Sequence, residues 1–284
     1  MTPTLSTKQK IALARSAQTV LMGARRMLGL GAQCIVGRRG LRWSLDLGEG
    51  IDFAIFLLGV FEASTVRQYQ KLLTDNCVAL DVGANIGAHT LHLARAVGAH
   101  GRVIAVEPTG YAFGKLSRNI QLNPSLATRI QTVQALLTDG LKAGVAEPVY
   151  SSWPLTPSGE THPLHLGKLM SCEGARMMSL DALVDNLGLK RIDLIKIDID
   201  GHECSMLRGA AATLREFRPR LVMELAPYVL TEHGASLAEF VAILQDAKYR
   251  LTDIDSGDSL PLDTTVLDQL IPPGSCRNVL AEPT

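Results

Sequence analysis

The run Val78-Ala79-Leu80-Asp81-Val82-Gly83-Ala84-Asn85-Ile86-Gly87 constrains this chain more than any other stretch. Apolar residues lead into an acid, glycines at 83 and 87 break the pattern, and helical periodicity follows over 88–97. A buried strand, a tight turn and a helix start follow in that order, as in the nucleotide-binding crossover of a parallel α/β sheet. At Gly83 and Gly87 no Cβ stands between a ligand and the backbone. Asp81, at the strand's end, is placed to accept hydrogen bonds from a cationic or hydroxylated ligand.

The turn differs from the dinucleotide fingerprint G-x-G-x-x-G, which holds a pyrophosphate against a helix N-terminus. Here it reads D-x-G-x-N-x-G. A carboxylate opposes a pyrophosphate but suits an ammonium group. S-adenosylmethionine carries such a group on its methionine half and has no phosphate. The bland alternative is a glycine turn with no ligand. A second apolar run, Arg102 to Val106, ends at Glu107, 26 residues past Asp81. A ribose-binding acid is expected roughly 20 residues on in such folds. Two ribose hydroxyls match two carboxylate oxygens, whereas an isolated Glu107 would be a solvated strand end.

Strands and helices then alternate. Expected strands lie at 78–81, 102–107, 130–134, 192–197, 221–225, 250–254 and near 278–281. Expected helices lie at 64–73, 88–97, 111–122, 179–186, 203–217 and 237–247, with Ser64 and Ser179 as N-caps. This implies a mainly parallel, seven-stranded sheet with helices on both faces. Residues 138–175 lose periodicity, and a connection that long is a candidate functional loop.

Upstream, Leu41–Leu47 reads as a strand. Residues 1–40 form a basic helical arm, with no acid before Asp46. It is expected to pack on its own domain (41–284) or on a second subunit. Weak contact with an anionic membrane surface is the rival reading. The whole chain has equal numbers of acids and bases, 28 each, so no global field draws it to nucleic acid. No apolar run is long enough to span a bilayer. Five cysteines without paired or metal-ligand spacing read as buried thiols in a reducing, cytoplasmic compartment.

Ligands in such sheets sit beyond the carboxyl ends of the strands. The acids there are Asp81, Glu107, Asp139, Asp198, Asp200 and Glu224. The run Lys196-Ile197-Asp198-Ile199-Asp200-Gly201-His202-Glu203 is the densest cluster. Together with Leu80–Thr90, Val106-Glu107-Pro108 and Leu207-Arg208-Gly209-Ala210, it resembles the FkbM family of S-adenosylmethionine-dependent methyltransferases. Weaker echoes lie at 43–52 and at Met223–Pro227. Residue 200 is commonly Glu in such runs and is Asp here. The resemblance implies a class I methyltransferase, Rossmann-like fold and methylation of a hydroxyl on a sugar, polyketide or related small molecule.

Methyl transfer from a sulfonium is an in-line displacement, so positioning is a large contribution. An alcohol also needs a general base. His202 and Asp198 are the leading candidates, with His162 and His165 in reserve. The cofactor-binding set is Asp81, Gly83, Asn85, Gly87, Glu107 and Asp139. His202 and Glu203 also have a structural reading, as the start of a helix, where acids are favoured. Lys196, in an apolar strand, needs a charged partner, and Asp198 is the nearest in sequence. Asp198, Asp200, Glu203 and Glu224 offer hard oxygens to a divalent metal, but no spacing identifies such a site, and no metal ligand is assigned. Two rivals remain: a nicotinamide-dependent oxidoreductase, which lacks its phosphate turn here, and a non-catalytic S-adenosylmethionine-binding module.

Overall fold

The computed structural model describes residues 7–141, 146–151, 153–155, 161–162 and 166–284. His165 lies outside the described residues. The central sheet has eight strands. Their spatial order is Ser259–Leu260, Tyr249–Asp253, Arg277–Pro283, Arg220–Leu225, Leu194–Ile197, Val78–Val82, Arg102–Val106 and Ile130–Val133. The seven expected strands are all present, and the eighth is a two-residue edge. Neighbours from Arg220–Leu225 to Ile130–Val133 pair in parallel. The last strand, Arg277–Pro283, inserts antiparallel between Arg220–Leu225 and Tyr249–Asp253.

Period-two alternation sends side chains to two cores, as expected of a sheet covered on both faces. Leu80, Val82, Ile104, Val106, Ile195 and Ile197 join one core, with Leu183, Met206 and Phe240 from the helices above them. Ala79, Val103, Ala105 and Leu194 join the other, with Trp43, Tyr69 and Leu91. By the same parity, Asp81 and Lys196 point toward this second core. They stand directly opposite each other in the parallel register.

Local chemistry sets most boundaries. Ser179 caps Leu180–Leu187 by accepting from the Ala182 amide, and Gly188, with φ of 60°, ends that helix. The helix expected over 203–217 is two helices, Glu203–Arg208 and Ala211–Phe217. At Gly209 a Cβ would lie 2.1 Å from the Thr138 carbonyl oxygen, so this break is where another backbone comes close. Ser64 is not the expected cap. The helix starts at Ala63, and Glu62 precedes it with φ of 48° and no side-chain capping bond. The connection after residue 137 holds a short strand pair, Val149–Ser151 with Lys168–Met170. Arg176–Met178, which follows it, pairs in parallel with Ala135–Leu137.

Leu41–Asp46 pairs antiparallel with Gln33–Arg38, so the expected boundary at residue 41 falls inside a hairpin. The arm helix, Thr7–Met27, packs one face through buried Met22 and partly buried Ala14 and Leu21. Gln18 Nε2 donates to the Leu47 carbonyl at 3.3 Å. Its other face leaves Leu13, Val20 and Met27 65%, 76% and 85% exposed. Among the described residues, no helix is long and apolar enough to cross a membrane.

Candidate active site

The Gly83–Asn85 turn and the Asp198–His202 segment face each other across one cleft, because their strands are neighbours. The cleft wall carries the carboxyl groups of Glu62, Glu107, Asp198, Asp200 and Glu224, and one lysine, Lys196. Three wall residues other than glycine have left-handed backbones: Glu62, Asn85 and Asp200. Such conformations cost of order 1–3 kcal/mol each and concentrate where a site is built.

Gly83 has φ of 78°, and a Cβ there would lie 1.9 Å from the Asp198 carbonyl oxygen. Its glycine is therefore demanded by the neighbouring turn rather than by ligand space. Gly87, with φ of 90°, is not part of the cleft wall, and a Cβ there would lie 3.0 Å from the end of the Leu116 side chain. Asn85 tolerates its φ of 48°, because its short amide can bond locally. Its side-chain oxygen accepts from the Ile86 amide at 2.8 Å.

Glu107 is fixed from both sides. Oε2 accepts from the Asn85 amide at 2.9 Å, and Oε1 accepts from the Thr109 amide and hydroxyl at 2.9 and 2.6 Å. Burial raises its pKa against these bonds. It lines the cleft beside the turn, where a ribose was expected.

Asp81 sits elsewhere than the sequence placed it. It is 0% exposed and is absent from the cleft wall. Oδ2 accepts from the Thr90 hydroxyl at 2.5 Å, and Oδ1 lies 3.6 Å from Lys196 Nζ. Lys196 also reaches Asp198 at 3.3 Å and donates to the Gly83 carbonyl at 3.0 Å. Burial acts against its charge, but Asp198, Asp81 and Glu62 outweigh it and hold the ammonium above its usual range. Asp139 also stands outside the wall, 3.4 Å from Arg208.

His202 lines the cleft at the start of Glu203–Arg208. Burial, then the adjacent His233 ring 3.9 Å away, lowers its pKa to about 4, so it is neutral at pH 7. Glu203 braces the turn by accepting from the Ile199 and Gly201 amides, both at 3.3 Å. Burial lifts it to about 7. Burial and surrounding acids also raise Asp200 and Glu224. His162 is buried, 2.8 Å from Glu232. Among the described residues, no group of three or more His, Cys, Asp or Glu is arranged to hold a metal ion.

Sequence reasoning missed one chain of contacts in the wall. His89 Nε2 lies 3.4 Å from Glu62 Oε2, and its Nδ1 lies 3.0 Å from the Tyr69 hydroxyl. Burial would raise Glu62, but the hydrogen bond and charge of His89 outweigh it and hold the carboxyl at about 2. Burial keeps Tyr69 a protonated phenol. His89 stands inside the glycine motif, but nothing in that motif names a partner 27 residues upstream.

A parallel sheet with one inserted antiparallel strand, and a carboxyl-lined cleft beyond its central strands, are the architecture of a class I methyltransferase. The family model for the Methyltransferase FkbM domain matches residues 81–251. The chain belongs to the FkbM methyltransferase family, and S-adenosylmethionine is its cofactor.

Methyltransferase sdnD of Sordaria araneosa is 26% identical over 246 residues, covering 73% of this chain and 90% of that one. Hexuronic acid methyltransferase AglP of Haloferax volcanii is 26% identical over 157 residues, covering 54% of this chain and 58% of its own. Among solved structures, an FkbM methyltransferase from Methylobacillus flagellatus is similar at 15% identity and a TM-score of 0.44. That match covers 78% of this chain and 56% of the other.

Proposed function

We propose that this methyltransferase acts on oxygen, at a hydroxyl of a sugar, polyketide or related small molecule. The observation that carries this reading is the cleft itself. A glycine turn with a fixed carboxylate (Glu107) meets, across adjacent strands, a segment that supplies a neutral imidazole (His202) and a carboxylate (Asp198). The wall suits a cationic, hydroxyl-bearing ligand and opposes a pyrophosphate, which weighs against nicotinamide chemistry. Relatives named as a hexuronic acid methyltransferase and as the methyltransferase sdnD are compatible with such acceptors.

In this reading Glu107 accepts from the ribose hydroxyls, and the Gly83–Asn85 backbone lies along the cofactor. Asp81 acts at one remove, by holding Lys196 beneath the turn. When bound, S-adenosylmethionine supplies an electrophilic methyl group on a sulfonium. His202 takes the acceptor hydroxyl's proton as its oxygen attacks that carbon, and Asp198 orients the acceptor. A general base contributes about 10²–10⁴-fold.

The test is S-adenosylhomocysteine formation with a panel of hydroxylated acceptors. His202→Ala should lower kcat by about two to four orders of magnitude with cofactor affinity little changed. Full turnover in both His202→Ala and Asp198→Asn would remove this segment from the mechanism. Cofactor binding without turnover on any acceptor would favour a non-catalytic module.

A further inference from the structure

The cofactor reading leaves one group without a partner. The methionine half of S-adenosylmethionine carries an ammonium, and Asp81, the acid the motif offers, is 0% exposed and already engaged by Thr90 and Lys196. Gly83 offers only a carbonyl that Lys196 already occupies. Another carboxylate in the cleft is the fitting partner for that charge, because a buried cation without one is costly.

We propose that Glu62, oriented by His89 and Tyr69, is the residue that binds the ammonium of the cofactor's amino-acid end. This rests on the cofactor reading above. Glu62 lines the cleft with Gly83 and His89, and its side chain is 21% exposed, the outward end of a contact chain whose inner members are buried. It precedes a helix without capping it, so its side chain is free of the usual duty of that position. Its backbone is left-handed, with φ of 48°, a strain that helix formation does not require.

His89, 3% exposed, places Nε2 3.4 Å from one carboxylate oxygen. Tyr69 remains a phenol, and its hydroxyl, 3.0 Å from Nδ1, fixes the ring with Nε2 on the Glu62 side. A carboxylate held at about 2 is ionised at every working pH, as an ammonium anchor has to be. The groups around it agree on its side of the cleft. Glu62 interacts with Lys196, Asn278 and Glu224, all beyond Val78–Val82 on the side away from Glu107. Glu107 and Glu62 therefore flank the glycine turn, one toward a ribose and one toward an amino acid.

Alternatively, Glu62 touches the acceptor. The experiment separates the two by cutting the ligand. Binding of S-adenosylhomocysteine and of 5′-methylthioadenosine, which lacks the amino-acid end, is measured by calorimetry on the full chain and on Glu62→Gln, with melting temperatures on the same samples. A charge-assisted hydrogen bond implies at least about a tenfold loss for S-adenosylhomocysteine in Glu62→Gln, with methylthioadenosine unchanged. His89→Asn should give a smaller loss of the same selectivity.

Equal weakening of both nucleosides would overturn the proposal, since Glu62 would then merely brace the cleft. So would unchanged binding of both with reduced turnover, since Glu62 would then serve the acceptor. If Glu62→Gln does not fold, the cut is made on the ligand alone. S-adenosylhomocysteine lacking its amino group should bind the wild type at least about tenfold more weakly, and equal affinity overturns the assignment. Wild-type protein that binds none of these nucleosides would instead sink the cofactor reading itself.

Discussion

At Gly83 a methyl group would meet backbone, not solvent or ligand, and backbone cannot rotate away. Gly83→Val is therefore expected to lower the melting temperature as well as abolish cofactor binding. A well-folded variant with an unchanged melt and lost binding would restore the simpler view that the glycine makes room for a ligand. Lys196 gives the complementary case. It is 4% exposed and stands between Asp81 and Asp198. Lys196→Met strands the buried Asp81 charge, and breaking such a pair costs about 3–5 kcal/mol. Adding Asp81→Asn should recover much of that loss, because the stranded charge is gone. Denaturant unfolding of the two single variants and the double variant reads this directly, and strictly additive losses would contradict it.

The elements around these residues differ in how far sequence exposes them. Val78–Val82, Arg102–Val106 and Leu194–Ile197 are buried on both faces, so each is a short apolar run ending in an acid, and each was legible. Gln33–Arg38 was not, because its exposed positions include Gln33 and Gly37 and its half-buried ones Cys34 and Arg38, which blurs any alternation. The Glu203–Phe217 break was hidden because Gly209 answers to Thr138, a contact from another part of the chain. Of the candidate site, Glu107, Gly83, Asn85, Asp198 and His202 were found as cleft residues, since strand ends and a glycine turn announce themselves. Asp81 was misplaced because pattern gives position along a strand, while the pairing with Lys196 decides what the carboxylate meets. The arm gives a further prediction. Truncation at residue 30 keeps the Gln33–Asp46 hairpin, whereas truncation at 41 leaves Leu41–Asp46 an unpaired edge. The shorter cut should retain cofactor binding, and the longer one should lower the melting temperature. Equal stability of the two would show the first hairpin strand to be dispensable.

For the molecule as a whole, the buried titratable groups set opposing pH dependences. His92 and His202 are both held at about 4 by burial, so the native state binds fewer protons than the unfolded chain between about 4 and 6.5, and their contribution to stability declines as pH falls through that window. Glu203 is lifted to about 7, and Asp200 and Glu224 are also raised. Their folded forms bind extra protons, so stability falls as pH rises above the ordinary carboxyl range through about 7. Between about 4.5 and 6.5 the two effects oppose each other. Above that only the carboxyls act, and the melting temperature should fall from pH 6.5 to 8. Glu224→Gln should flatten this decline, and a melt that rises across the same range would contradict the assignment.

The packing of Gly83 against Asp198 has a consequence for how ligands communicate. Three ties join the two turns: the Asp198 amide donates to Val82, Lys196 donates to Gly83, and the Asp198 carbonyl fills the space where a Gly83 side chain would stand. A shift of either turn alone would break these ties. If the cofactor lies along Gly83–Asn85 and the acceptor meets Asp198, as proposed above, a ligand that displaces one turn is expected to displace the other, and the two binding events are expected to be coupled through this contact. Linkage makes that coupling reciprocal: whatever factor an acceptor adds to cofactor affinity, the cofactor returns to the acceptor.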